Sequence, residues 1–186
     1  PNYTITLGLP EKLKQNNVIP GKWKHKVKIT FLPDKTRCSG AVNAIIPTLS
    51  DDYILLIDKS LLVSSPGWLI ALIGQASQPN IGAVGPKLLF KNGFVYSGGI
   101  ILLPDGEARH IFKGEKQSDN GYFGWVTLTR SYSAISEKCL LFKRESFNTV
   151  GGFSDAYQTP RYSGIDFCLR LRELGLRNIF FPSVEL

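Results

Sequence analysis

Five consecutive apolar residues, Tyr53-Ile54-Leu55-Leu56-Ile57, mark the clearest strand in the chain. An unbroken apolar run of this length suits a central strand covered on both faces. It ends at Asp58. Ser65 as N-cap and Pro66 at the first helical position then predict a helix with Trp68, Leu69, Leu72 and Ile73 on its core side. A buried strand thus delivers an acidic residue to its carboxyl end, ahead of a loop and a helix. In open α/β sheets ligands bind at that edge.

Around this unit the pattern alternates between short strands and helices. Residues 3–7 read as a strand, after which Gly8, Pro10, Pro20 and Gly21 break the chain. Val27 to Leu32 alternates apolar and polar positions and reads as a second strand. Ser39 is placed to cap a short helix carrying Val42, Ile45, Ile46 and Leu49, disturbed at Pro47. Further strands are predicted at Ile81 to Val84, Lys87 to Phe90, Val95 to Leu103, Val126 to Leu128 and Cys139 to Lys143, with turns at Asn92-Gly93 and Pro104-Asp105-Gly106. Ser163 opens a last helix through Leu174, Gly175 closes it, and Asn178 to Phe181 is a final strand. This order predicts an α/β fold with antiparallel additions.

Composition adds bounds. The 186 residues, 43% hydrophobic and 20% charged, suit one globular domain with a real core. The longest apolar runs fall far short of the roughly 20 residues that span a bilayer, and no secretory leader is visible at the start. Cys38, Cys139 and Cys168 match no zinc or redox spacing and read as small buried apolar residues of a reduced, cytoplasmic-side protein. Residues 1–37 carry a net +6 of the chain's +7, from Lys12, Lys14, Lys22, Lys24, Lys26, Lys28, Lys35 and Arg37 against Glu11 and Asp34. With only Trp23 nearby, this segment lacks the aromatics of a nucleic-acid platform. It reads as a solvated arm, or as a patch for anionic membrane at the inner face. No P-loop, GxGxxG or Ser-His-Asp pattern is present.

The run AVGPKLLFKNGFVYSGGII (83–101), NGYFG (120–124), YSAIS (132–136), KCLLFKRESFNTVGGFSD (138–155) and IDFCLRLRELGLRNIFFP (165–182) resembles family 2 glycosyltransferases. Within that family it is most similar to the bacterial enzymes that build rhamnan and O-antigen polysaccharides. The resemblance spans about residues 38–186, leaving 1–37 as a basic, degenerate donor-side remnant of one partial domain. It implies a GT-A-like mixed sheet with flanking helices and a truncated first strand. It also implies a nucleotide-sugar donor, a divalent cation (Mg or Mn), a polysaccharide or lipid-linked acceptor, and inversion by direct displacement.

Mapped onto this sequence, the family's Asp-x-Asp-like motif falls on Asp58-Lys59-Ser60. The resemblance makes Asp58 the metal and donor-phosphate residue. Ser60 is a much poorer ligand, and Lys59 brings a cation that would either neutralise phosphate itself or mark a site that no longer takes metal. The position usually assigned to the catalytic base falls on Gly164, leaving Asp166 as substitute base or support. Ser163 and Asp166 also have the spacing of a capping box.

Asn43 matches a donor-side Asn, and His110 a His near the acceptor cleft. Tyr122, Phe123 and Trp125 serve either as core packing or as a platform for a sugar ring, Tyr122 and Trp125 being the acceptor candidates. Arg170 and Arg172 read as the exposed side of the last helix. Two functions follow: an inverting glycosyltransferase domain, or a non-catalytic glycan- or nucleotide-binding module beside another glycosyltransferase domain.

Overall fold

The structure, a computed structural model, describes residues 3–14, 27–63 and 65–186. Lys22, Trp23, Lys24 and Lys26 of the basic segment, with the breakers Pro20 and Gly21, lie outside the described residues. Packing divides the chain into two units, Pro1–Ser50 and Asp51–Leu186.

In the first unit, β1 (Ile5–Pro10) and β2 (Val27–Leu32) pair in parallel from Ile5↔Val27 to Pro10↔Leu32. Gly8 and Pro10 therefore stay within the strand, because the ladder to β2 outweighs their local breaking tendency. Helix α1 (Cys38–Ile45) follows, ending in a 3-10 turn at Ile46–Thr48 that contains Pro47. Its N-cap is Arg37, so Ser39 is a buried first-turn residue and not the cap. Asn43 sits half-buried on α1. Cys38 is exposed, against the expectation of burial, whereas Cys139 and Cys168 are buried thiols that desolvation pushes up to about 12.

The second unit contains β3 (Tyr53–Ile57), α2 (Trp68–Ala76), β4 (Ile81–Leu89), β5 (Val95–Ser97), β6 (Ile100–Leu102) and β7 (Ala108–His110). Then come β8 (Arg130–Tyr132), β9 (Cys139–Lys143), α3 (Arg144–Thr149), α4 (Pro160–Glu173) and β10 (Arg177–Glu185). The main sheet has the order β3-β9-β4-β10-β8, with β5 added on β4. β4 and β10 run parallel, while β9 is antiparallel to both β3 and β4. β6 and β7 form a separate hairpin-like pair.

Side-chain alternation along β9 splits the core between the two faces of the sheet. Leu141 joins Leu72 and Ala76 of α2 and Ile81, Val84 and Leu88 of β4. Its neighbour Phe142 points to the other face, where it meets Phe147 of α3 and Phe167 of α4 at ring-centroid distances of 6.3 and 4.8 Å. Phe153 stacks on Phe167 at 4.4 Å.

Several local expectations are corrected. β3 ends the described sheet instead of lying at its centre; an apolar run alone does not distinguish these placements. Helix α2 starts at Trp68 with Gly67, at φ 78°, as N-cap, so Ser65 and Pro66 belong to the preceding turn. The strand expected over Val95 to Leu103 breaks at Gly98-Gly99. Gly99 holds φ 116°, and a Cβ there would stand 2.4 Å from the Tyr132 ring. Residues 126–128 form no strand, although Val126 is buried.

Helix α4 begins at Pro160, and Thr159 caps it by accepting a bond from the Tyr162 N–H. The Ser163–Asp166 capping box is therefore not formed; Ser163 Oγ donates to the Ser154 carbonyl at 3.1 Å. Among the described residues, no helix is long and apolar enough to cross a membrane.

Candidate functional site

The site is built where β3 ends. Ile57 pairs with Cys139, so the residues before β9 lie opposite those after β3, and the Asp58 N–H donates to the Lys138 carbonyl at 2.7 Å. That register sets two side chains face to face, with Lys138 Nζ 3.6 Å from Asp58 Oδ2. The other carboxylate oxygen, Oδ1, accepts from the Ser60 N–H at 2.8 Å and from Ser60 Oγ. The two Ser60 bonds, with Lys138 adding to them, hold the Asp58 carboxyl below its ordinary range against a smaller desolvation effect. Lys59 is exposed, and among the described residues the cation paired with Asp58 is Lys138.

β5 brings a second layer to the same edge, because Ser97 pairs with Leu88 near the end of β4. The Tyr96 ring lies 5.7 Å from Lys138 Nζ, 5.8 Å from Lys113 Nζ and 5.0 Å from the His110 ring. Burial, then the charge of Glu137, raise the Tyr96 hydroxyl pKa, while Lys138 and Arg161 oppose the rise. His110 Nδ1 is 2.8 Å from Ser97 Oγ. Burial, and then the charges of Arg161, Lys113 and Lys138, push its imidazole down to about 4, so it is neutral at physiological pH. Arg161 itself is anchored by donating from Nη2 to the Ala108 carbonyl, and its Nε is buried without a partner. The edge therefore gathers Asp58, Tyr96, His110 and three cations, Lys113, Lys138 and Arg161.

The other expected residues fall in different places. Asp166 lies two turns into α4 and is committed to Arg170, which donates to its Oδ2 from Nε at 2.9 Å and pairs through Nη2 at 2.7 Å. Arg170 also donates to the Val150 and Gly152 carbonyls at 2.6 and 2.8 Å. It is a clasp between the VGGF loop and α4, not an exposed charge; Arg172 is exposed as expected. Tyr122, Phe123 and Trp125 are not core. Tyr122 and Phe123 are 71% and 78% exposed, and Tyr122 meets Trp125 edge-on at 5.6 Å. The Arg130 guanidinium lies 4.0 Å above the Trp125 ring. Asn43 belongs to the first unit.

Lys113, Lys138, Arg161 and Tyr96 were not singled out by sequence. No spacing rule connects them, since strand β5, helix α4 and two separate loops bring them together. A cleft of about 430 Å³ lined by Asp52, Tyr53, Arg144 and Asn148 lies at the opposite end of β3 and takes no part in this site.

The fold and the sequence both have relatives. The mannosyltransferase PcManGT from Pyrobaculum calidifontis, solved with GDP-Man and Mn2+, superposes with a TM-score of 0.56 at 14% identity, over 88% of this chain and 40% of that one. GalNAc-T7, solved with UDP, GalNAc and Mn2+, gives 0.68 at 13% identity, over 94% and 34%. In sequence, the O-antigen biosynthesis protein RfbC of Myxococcus xanthus is 34% identical over 141 residues. The chain belongs to the family 2-like glycosyltransferases of GT-A type.

Another relative of this GT-A domain is protein y4gI of Sinorhizobium fredii, 33% identical over 147 residues. The N-acetylglucosaminyl-diphospho-decaprenol L-rhamnosyltransferase of Mycobacterium tuberculosis is 27% identical over 150 residues. The alignments take in 77%, 74% and 73% of the chain for y4gI, RfbC and the rhamnosyltransferase, but only 16%, 11% and 46% of those proteins. The domain thus spans less than half the length of the curated relatives it matches. No protein-family model matches it.

The manganese in the related structures raises the question of fit here. Both oxygens of Asp58 are engaged, Oδ1 by Ser60 and Oδ2 by Lys138. Among the described residues no group of three or more His, Cys, Asp and Glu side chains could hold a metal ion. The described residues around Asp58 thus offer one carboxylate, already engaged, and do not by themselves make a divalent-cation site.

Proposed function

We propose that this GT-A domain binds a nucleotide-sugar donor and takes part in inverting sugar transfer to a polysaccharide or lipid-linked glycan. The observation that carries the reading is the Asp58–Lys138 pair at the end of β3, with Lys113 and Arg161 acting on the same Tyr96–His110 patch. Departure of a nucleoside diphosphate builds negative charge on its phosphate oxygens, and fixed cations at that point lower the barrier. Lys138 supplies that charge, Asp58 and Ser60 orient it, and the exposed Lys59 adds a second cation. Neutral His110 is a hydrogen-bonding group for the acceptor, and the exposed Tyr122 and Trp125 offer ring faces to a sugar. Asp166 supports α4 through Arg170. The transferase names of the mycobacterial relative and of PcManGT favour transfer over a purely binding module.

Calorimetric titration of the whole chain with GDP, UDP and their sugar conjugates, with and without manganese, tests this reading. The expected result is metal-independent binding that weakens about tenfold or more in Lys138→Ala, the scale of one lost charge-assisted contact. Binding that requires manganese would transfer the role of Lys138 to a metal. No binding by a folded sample would remove the donor site altogether.

A further inference from the structure

Direct displacement is assisted by a general base with a free lone pair that takes the proton of the attacking hydroxyl, a role a carboxylate can fill. Of the carboxylates already placed, Asp58 has both oxygens engaged, and Asp166 is ion-paired through Oδ2 with Arg170, its Oδ1 lying 3.5 Å from the Tyr157 hydroxyl. Glu137, between β8 and β9, is different. Its Oε2 has Ser136 Oγ at 3.5 Å, and among the described residues it forms no ion pair.

Its backbone is held firmly. The Cys139 N–H donates to the Ser136 carbonyl at 3.2 Å, closing a turn, and Ser136 is buried. That turn presents Glu137, half-buried, beside Lys138 and within charge range of the Tyr96 hydroxyl, where its field is the largest of the neighbouring charges. The opposite wall is Gly164 of α4. A Cβ built on Gly164 would stand 2.9 Å from the Glu137 Cβ, closer than two such atoms approach. A side chain at 164 and the side chain at 137 therefore compete for the same space, and the helix carries glycine where the turn carries Glu137.

We infer that Glu137 is the general base of the transfer reaction, an assignment that rests on the glycosyl-transfer reading above. The acceptor hydroxyl gives its proton to a Glu137 carboxylate oxygen as its own oxygen bonds to the anomeric carbon. The bond from that carbon to the diphosphate oxygen breaks, and its electron pair leaves with the nucleoside diphosphate toward Lys138. The carboxylate ends protonated and the sugar inverted.

The test combines removal with relocation, in the whole chain, using the nucleotide sugar that binds most tightly in calorimetry. Release of nucleoside diphosphate, to water or to an N-acetylglucosaminyl-diphospho-lipid, is the rate measured. Glu137→Gln is expected to lower kcat at least about 100-fold, the usual worth of a positioned base, with donor Kd changed less than about twofold. Gly164→Asp alone meets the Glu137 Cβ. In Glu137→Gly with Gly164→Asp that obstacle is gone, and the helix returns a carboxylate to the same space. This double variant is expected to recover at least about tenfold over Glu137→Gly. A side chain that only supported the turn would not be rescued from the facing helix. Wild-type turnover by Glu137→Gln, no rescue by the double variant, or a wild-type chain that binds donor and never releases diphosphate each overturn the assignment. Failure to bind any nucleotide sugar instead overturns the reading beneath it.

Discussion

At the residue scale, the chemistry depends on which charges tertiary contacts leave free. Asp58 and Asp166 look equally available in the sequence, yet Asp58 is engaged by Ser60 and Lys138 and Asp166 is ion-paired with Arg170. His110 shows the opposite effect, a group kept neutral by its surroundings. Its folded pKa, about 4, lies below the ordinary value of 6.5 because burial and three nearby cations disfavour the charged form. In the unfolded chain it takes up a proton near 6.5, so between those values the unfolded state binds more protons and stability falls as pH falls. Urea unfolding at pH 7 and pH 5 is expected to show a loss of about 1 kcal/mol that His110→Gln lacks, the ideal linkage being roughly halved because the ring is partly solvent-screened. Equal pH slopes in the two proteins would contradict this environment.

At the element scale, the VGGF loop and the DFCLR helix act as a single structural unit. Arg170 donates to two loop carbonyls and to Asp166 one turn earlier, while Phe153 of the loop stacks on Phe167 of the helix. Arg170→Ala leaves a half-buried carboxylate and two carbonyls without their donor. It is expected to cost about 2–4 kcal/mol in urea or thermal unfolding. Arg170→Lys is expected to recover little, because an ammonium cannot reproduce the guanidinium's forked donors. A change below about 0.5 kcal/mol in Arg170→Ala would show that the clasp is incidental.

This unit also marks where local reading failed. The helix pattern was legible, but its start was set by Thr159 and Pro160 instead of Ser163, because Ser163 is drawn into a bond with the Ser154 carbonyl. Likewise Gly99 read only as a strand residue, and its reason is the Tyr132 ring packed against its backbone.

At the scale of the whole molecule, the two units differ in kind. The second has a five-strand path with apolar packing on both faces, anchored by β4, whose residues Ile81 to Leu88 are all buried. The first has a two-stranded parallel ladder, and its β1 side chains are mostly exposed or half-buried. Parallel pairs depend on burial of both faces, and two strands alone are marginal in water. Amide hydrogen exchange is therefore expected to be faster in β1 and β2 than in β4, β9 and β10 by at least about 100-fold. Equal protection would mean that the whole chain opens in one cooperative step.

The sequence by itself determined the elements and their class. Apolar periodicity reports which side of a strand or helix avoids water, and that property is local enough to read along the chain. It also placed Asp58 at a strand's carboxyl end and, through the motifs from residue 83 onward, carried the glycosyltransferase resemblance. Only the tertiary structure decided which charged groups meet. Lys138 reaches Asp58 because β9 pairs with β3 at Ile57↔Cys139, across some 80 residues of chain. Glu137 fills the space over Gly164 because a turn and a helix converge there. Electrostatics and steric exclusion act through space over a few ångströms, and separation along the chain carries no record of that distance.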